Sequence, residues 1–143
     1  MQLADDDSAL VHVEVALSSE ARSKAIGYIE EVMKERFKCT PPPTSGTIFV
    51  ARAGDRIVGT IVFESGNENE PFSLENRYTF RPENAPVPFV RSRIVQGTRW
   101  VATEKAVSGL VLREAALLAH SFGKEYIFIE AKPYSVKRLR ELG

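Results

Sequence analysis

The sequence has few of the residues that form disulfides or bind transition metals. Its 143 residues include one cysteine and two histidines. Cys39 cannot form a disulfide within the chain, and His12 and His120 do not form a metal-ligand spacing. This composition excludes an internal disulfide framework and argues against a bound metal ion.

Long apolar runs and an excess of charge of one sign are also missing. The apolar stretches fall well short of the roughly 20 residues that a membrane-spanning helix needs. Because 19 Lys and Arg residues balance 19 Asp and Glu residues, no overall field attracts nucleic acid or an anionic membrane. The N-terminal segment is acidic where a signal peptide would be basic. We therefore expect a cytoplasmic protein without a membrane span or a nucleic-acid partner.

The sequence does contain enough apolar residues for one hydrophobic core. Hydrophobic residues make up 43% of the chain and charged residues 27%, as is usual for a globular protein. We expect a single domain over residues 1–143 with no internal repeat. The last predicted helix ends at the end of the chain, so truncation at the C-terminus stays open.

The first half of the chain predicts a strand, a helix and a hairpin. Residues 11–17 largely alternate between apolar and polar side chains, as in a half-buried strand. Ser18 can cap the helix that follows, whose apolar residues recur every three or four positions until the prolines at 41–43. Two runs of β-formers, 47–51 and 57–63, flank a turn-prone segment and indicate an antiparallel hairpin.

The segment 64–89 has no regular period but contains several aromatic residues. A long loop of this kind is either a functional lid or pocket wall, or a surface segment with little order. The sequence leaves both interpretations open for its four aromatic residues, Phe72, Tyr78, Phe80 and Phe89.

The rest of the chain predicts a strand–helix–strand unit followed by a basic helix over 136–142. A run of β-branched and aromatic residues at 93–102 precedes an apolar helix over 107–122, which Thr103 or Ser108 can cap and Gly123 can end. A second strand is expected over 125–130. Such a crossover brings a helix N-terminus close to strand ends, where anionic cofactors bind.

This order of elements resembles the GNAT acyltransferase superfamily. Residues 47–63 resemble its second and third strands, including a glycine at Gly59. Residues 96–100 resemble the Glu-x-Ser-Arg-Phe signature of acyl-homoserine-lactone synthases and related N-acyl amino acid synthases. The resemblance implies an α/β (α+β) single domain with a mixed sheet flanked by helices, here apparently without the usual final hairpin.

The resemblance also implies an activity and a set of site residues. The activity is transfer of an acyl group from acyl-CoA or acyl-carrier protein to the amine of a small metabolite such as an amino acid, without a metal. Gln96 and Arg99 would position the acceptor. The strand end and the following helix would hold the thioester arm and the pyrophosphate, through Val101, Ala102, Thr103, Lys105, Ser108 and Gly109.

Several departures from the family pattern weaken a catalytic interpretation. The pyrophosphate loop keeps one glycine, and Leu139 stands where many members have a tyrosine general acid. Gln96 replaces the acid of the synthase signature, so it can orient an amine but cannot deprotonate it. Glu64 and Glu104 are candidate bases, although such residues are more often solvated or helix-start acids.

Two alternatives to an enzyme therefore stay open. One is a non-catalytic GNAT-like module that binds an acyl thioester or a protein partner. The other is a small α/β interaction domain without a cofactor. For the enzyme and for both alternatives, a sheet edge left open by a missing final hairpin would be an association surface, so a homodimer is expected.

Overall fold

The computed structural model describes residues 11–38, 44–66, 72, 75, 83 and 86–129. The predicted helix over 136–142, with Leu139, lies outside this part of the chain. The described elements are β1 (Val11–Val15), α1 (Ser19–Phe37), β2 (Thr47–Ala53), β3 (Arg56–Ser65), a short 3-10 helix (Arg91–Arg93), β4 (Ile94–Ala102), α2 (Lys105–Ser121) and β5 (Tyr126–Ile129).

The described strands form one sheet in the order of the chain, β1-β2-β3-β4-β5. The first three neighbouring pairs are antiparallel, whereas β4 and β5 run parallel. Parallel pairing requires a crossover connection, and α2 supplies it between these two strands. The mixed α+β sheet flanked by helices that the sequence predicts is confirmed.

Helix α1 begins and buries its apolar face as its sequence predicts. The Ser18 side chain caps it by accepting a hydrogen bond from the amide of Ala21 at 3.0 Å. The helix ends at Phe37, because Lys38 adopts the left-handed conformation with φ 54° and closes the last turn before the prolines. Phe37, the last residue of the helix, is 40% exposed. The buried positions of the helix are Ala25, Ile29 and Val32.

The predicted hairpin of β2 and β3 is confirmed, with a tight turn that contains Gly54 at φ 63°. A positive φ of this kind carries little penalty for glycine, which has no Cβ. Strand β3 continues to Ser65, two residues past the predicted end, so its last part belongs to the sheet rather than to the loop.

Helix α2 begins earlier than predicted, and the expected cap is wrong. Neither Thr103 nor Ser108 caps it, because the N-cap position is Glu104, whose side chain makes no capping hydrogen bond. The Thr103 hydroxyl donates instead to the carbonyl of Val58 at 3.2 Å, which ties the end of β4 to β3. Gly123 follows the helix at φ 84°, as the predicted left-handed residue.

The two helices lie on opposite faces of the sheet. Adjacent residues of a strand point to opposite faces, so each strand contributes to two cores. The α1 face contains Ala16, Ala25, Ile29, Ile48, Val50 and Val62. The larger α2 face contains Phe49, Ala51, Val58, Ile61, Phe63, Val95, Val107, Val111, Ala115 and Ala119.

Candidate functional site

A β-bulge interrupts β4 close to its C-terminal end. Thr98 opposes Val62 and Val101 opposes Thr60, so β4 has one residue more than β3 between these pairs. Arg99 within this stretch has φ 49°, in the left-handed region. A side chain in this conformation costs about 1–2 kcal/mol, and such strain concentrates at functional sites. The sequence predicted a regular strand here.

Two hydrogen bonds from buried or partly buried side chains hold the bulge. The hydroxyl of Thr60, which is fully buried, donates to the carbonyl oxygen of Arg99 at 3.0 Å. The indole Nε1 of Trp100 donates to the carbonyl oxygen of Ser108 at 2.9 Å, so the bulge is fixed to the first turns of α2. Trp100 also packs against the α2-face cluster.

The backbone beyond the bulge presents a donor to the β5 side of the sheet. The amide of Thr103 donates to Val58 of β3 at 2.9 Å. Because backbone amides alternate between the two edges of a strand, the amide of Ala102 points away from β3, toward the β5 side. In the described residues, β5 pairs with β4 only from Ile94 to Gly97. The amide of Ala102 lies beyond that pairing.

The N-terminus of α2 follows directly and adds further donors. The hydrogen bond from the amide of Ser108 to the carbonyl of Glu104, at 3.2 Å, is the first of the helix. The amides of Lys105, Ala106 and Val107 precede that bond and, like those of any first helical turn, have no acceptor within the helix. The helix dipole adds partial positive charge. With the exposed Lys105, this turn favours an anion.

Small residues let the strands approach this helix end closely. Ser108 is only 5% exposed, so its hydroxyl lies inside the protein rather than at the surface. Gly109 is partly buried beside it. Gly59 of β3 faces Val107, and a Cβ added there would lie 3.0 Å from Val107 Cγ1 and 3.2 Å from Ala102 Cβ. A side chain at position 59 would therefore push β3 from the helix start.

The two residues assigned to the acceptor, Gln96 and Arg99, both lie on β4 before the amide of Ala102. Val95 belongs to the α2-face cluster, so the next residue, Gln96, points to the α1 face. Gln96 is 2% exposed, which places its amide in the interior. It opposes Glu64 of β3 and Phe128 of β5. Arg99 lies three residues later, in the bulge itself.

Phe72 and Phe89 of the aromatic segment pack in a row with Phe128 of β5. The ring centroids of Phe128 and Phe89 lie 5.6 Å apart, and those of Phe89 and Phe72 lie 6.3 Å apart, both edge to face. Phe72 is 3% exposed. Phe72 and Phe89 thus pack at the sheet near β5, while the choice between a pocket wall and a surface segment stays a prediction, and Tyr78 and Phe80 lie outside the described residues.

A partly buried ion pair joins Glu75 of this segment to Arg91. Glu75 accepts hydrogen bonds from the amide of Phe72 at 2.7 Å and from Arg91 Nε at 3.0 Å, and its second oxygen also binds the Arg91 guanidinium. The Arg91 hydrogen bonds hold the pKa of the Glu75 carboxyl below its usual range. This ion pair between Glu75 and Arg91, called the clasp below, links the aromatic segment to the residues just before β4.

The two histidines lie on separate elements, His12 on β1 and His120 near the end of α2. His12 and His120 are both exposed. Among the described residues, no three His, Cys, Asp or Glu side chains come together as a metal site. No described helix has the length and apolarity needed to cross a membrane.

Sequence reasoning missed the bulge and the Glu64–Gln96 pairing. The bulge has no sequence signal, because arginine occupies the left-handed position that glycine usually takes. The pairing follows from the β3–β4 register, which the sequence does not specify across the long loop.

Comparison with solved structures supports the fold. An aminoglycoside acetyltransferase from an uncultured soil metagenomic sample, in complex with trehalose, superposes with a TM-score of 0.60 at 13% identity, over 94% of this chain and 88% of that chain. The same enzyme in complex with sisomicin gives a TM-score of 0.58 at 13% identity over the same shares. No family model matches the sequence, and no curated protein matches it. The chain thus has a GNAT-like fold.

Proposed function

We propose that this protein transfers an acyl group from an acyl thioester to an amine of a small metabolite. The donor is acyl-CoA or acyl-carrier protein. The observation that supports the proposal is the bulge at Arg99. It is followed by the amide of Ala102, which points away from β3, and by the N-terminus of α2, which has no side-chain cap. One short stretch of backbone thereby offers donors to a thioester carbonyl and to an anionic group.

The donor arm would run along the end of β4. The amide of Ala102, with the backbone of Val101 and Thr103, pairs with the polar groups of the arm and with the thioester carbonyl. A positioned amide stabilises the negative charge that develops on this oxygen during attack. The amides of the first turn of α2 and the charge of Lys105 would hold the pyrophosphate, while the small residues Ser108 and Gly109 permit close approach.

The acceptor would approach from the Gln96 and Arg99 side. The arginine is suited to a carboxylate or to another oxygen of the acceptor, and the Gln96 amide can orient polar groups. The amine nitrogen attacks the thioester carbon, the new C–N bond forms and the C–S bond breaks. Alignment of the two reactants on one rigid strand supplies much of the rate gain in such a reaction.

The solved neighbours support amine acylation in general more than a particular acceptor. They are acetyltransferases of aminoglycosides, and one contains sisomicin. Neither is described as an N-acyl amino acid synthase, so these structures do not support the narrower resemblance to that branch. A carrier-protein donor, a homodimer, a single domain over 1–143 and a cytoplasmic location stay predictions.

The test is thiol release. Purified protein is incubated with acetyl-, octanoyl- and palmitoyl-CoA and with a panel of amines that includes amino acids and aminoglycosides. We expect free thiol to appear only when both a thioester and an amine are present, together with the matching amide product by mass spectrometry. Absence of thiol release with every pair would overturn the enzymatic proposal.

A non-catalytic module that binds the thioester is the second candidate. Gln96 in place of an acid favours it, because a carboxamide does not accept a proton near neutral pH. Such a module would bind acyl-CoA, and its melting midpoint would rise with ligand concentration, without releasing thiol. The two candidates therefore differ in turnover and not in binding.

A further inference from the structure

Strand β1 forms an edge of the sheet in the described part of the chain, where its one neighbouring strand is β2. The amide of Ala16, directly after β1, donates to the carbonyl of Ile48 at 2.9 Å, toward β2. Because backbone groups alternate between the two edges of a strand, those of His12 and Glu14 also point toward β2. The residues whose N–H and C=O groups point away from β2 are Val11, Val13 and Val15.

The two faces of β1 differ in chemistry. On one face, Val11, Val13 and Val15 are partly buried and pack against the α2-face cluster. On the other face, His12 and Glu14 are exposed. Charged side chains on an edge strand usually prevent pairing with another chain. Here they are a hydrogen-bond donor and an acceptor two residues apart, so a second copy of the same strand can oppose one with the other.

One antiparallel register of β1 with a second copy uses all of these groups. With Val13 opposite the partner's Val13, Val11 opposes the partner's Val15, which gives three hydrogen-bonded pairs with two bonds each. The same register places His12 opposite the partner's Glu14 at the closely spaced positions without backbone bonds, where opposed side chains interact. A shift of the partner by two residues in either direction leaves two hydrogen-bonded pairs. It also opposes His12 with the partner's His12, or Glu14 with the partner's Glu14.

We propose that the protein forms a homodimer through antiparallel pairing of β1 with β1 of a second copy, which joins the two sheets edge to edge. The two-fold axis passes through Val13, so the contact is self-complementary and closes at two copies. Each His12 imidazole donates to the carboxylate of the partner's Glu14, and an imidazole can do so whether neutral or protonated. This interface lies at the opposite edge of the sheet from β5, and it does not depend on the proposed acyl transfer.

Two further side chains support a second copy as the occupant of this edge. Arg52 Nε lies 3.2 Å from Glu14 Oε1, so the carboxylate is held on the exposed face of β1 before the partner binds. A group that is already ordered loses less entropy on binding. Leu17, two residues past β1, is 88% exposed. Because Val15 opposes the partner's Val11, Leu17 adjoins the start of the partner's β1, where burial of its side chain would favour the dimer.

The experiment measures the dimer dissociation constant of the full chain by sedimentation equilibrium over a dilution series. His12→Glu opposes two carboxylates at both polar pairs of the dimer, so the dissociation constant should rise about 10-fold. His12→Glu combined with Glu14→Lys again opposes unlike charges, and it should return the constant to within about threefold of the wild type. His120→Glu, the same substitution at an exposed position of α2, is the matched control and should leave the constant unchanged.

Hydrogen exchange of the wild type locates the interface without any variant. The amides of Val11, Val13 and Val15 should exchange more slowly as the protein concentration rises. Those of His12 and Glu14, which point toward β2, should exchange equally slowly in monomer and dimer. A protein that stays monomeric throughout the dilution series overturns the proposal. So does a dimer whose added protection lies outside β1, or whose dissociation constant responds equally to His12→Glu and His120→Glu.

Discussion

The indole of Trp100 donates a hydrogen bond to the carbonyl oxygen of Ser108, and this 2.9 Å contact joins the bulge in β4 to the first turns of α2. The two sources of donors in the proposed thioester site are therefore held as one unit. Trp100 is partly buried and Ser108 is buried, so this contact lies within the packed protein. A mutation here should affect both stability and donor binding.

Replacing Trp100 by phenylalanine should separate these effects. Phenylalanine keeps an apolar ring but cannot donate to Ser108, and a lost hydrogen bond with the smaller ring should cost about 1–3 kcal/mol of unfolding free energy. Donor KM should rise several-fold while acceptor KM stays within twofold. Urea denaturation and the thiol assay measure both quantities. Leu117→Ala, at an exposed position of α2, is the control, and an equal effect there would contradict the assignment.

Arg99 can be tested for its backbone and its side chain with one pair of variants. Both Arg99→Ala and Arg99→Gly remove the guanidinium, but only glycine relieves the left-handed backbone at φ 49°. Arg99→Gly should therefore be more stable than Arg99→Ala by about 1 kcal/mol.

The same pair tests acceptor binding. Both variants should raise acceptor KM more than donor KM, because the side chain and not the bulge is lost. Equal loss of donor and acceptor binding would contradict the role of Arg99, and equal stability of the two variants would contradict the strain. Thermal unfolding and steady-state kinetics provide the two measurements.

The clasp between Glu75 and Arg91 predicts a dependence of stability on acid pH. The carboxyl pKa is lowered in the folded protein, so the clasp stabilises the fold at pH values above the ordinary glutamate pKa of about 4.3. This contribution is lost as the pH falls through the lowered value. Glu75→Gln should be less stable than the wild type by about 2 kcal/mol at pH 7, and this difference should shrink toward pH 3.

A surface pair provides the control for that pH series. Arg93 Nη1 and Glu125 Oε1 lie 3.6 Å apart, and both side chains are at least half exposed. Glu125→Gln should therefore change stability by under about 1 kcal/mol at any pH. Urea titrations from pH 3 to pH 7 measure all three proteins. A difference between Glu75→Gln and the wild type that is constant across this range would rule out the clasp as its source.

Tyr28 on α1 provides a test in which the variant is expected to be more stable than the wild type. Its hydroxyl oxygen is buried and has no hydrogen-bond partner among the described residues, and burial raises the pKa of this phenol. Removing a buried hydroxyl without a partner is neutral or stabilising, so Tyr28→Phe should raise the unfolding free energy by up to about 1 kcal/mol. A loss of more than this amount in urea denaturation would indicate a hydrogen bond that the folded structure does not show.

The sequence predicts those features of the fold that local chemistry determines. The cap at Ser18, the apolar period of α1, the turn at Gly54 and the helix stop at Gly123 each depend on a few neighbouring residues, and each is present. The start of α2 is predicted wrongly, because the Thr103 hydroxyl binds Val58, which is distant in sequence.

The candidate site depends largely on long-range register. The bulge arises where β4 aligns with β3, and no glycine marks its left-handed residue. The proximity of Glu64 to Gln96 depends on the same alignment across the segment 66–93. A single sequence therefore identifies Gln96 as a departure from the family but does not show the carboxylate that lies opposite.

The most direct test of donor binding at the bulge is an NMR titration of the ¹⁵N-labelled protein with acetyl-CoA. Because this backbone is proposed to contact the thioester arm and the pyrophosphate, the amides of Ala102, Lys105, Ala106 and Val107 should shift in a saturable manner. The amides of β1, at the far edge of the sheet, should not move. Shifts that are absent from these four amides, or confined to α1, would contradict the proposed site.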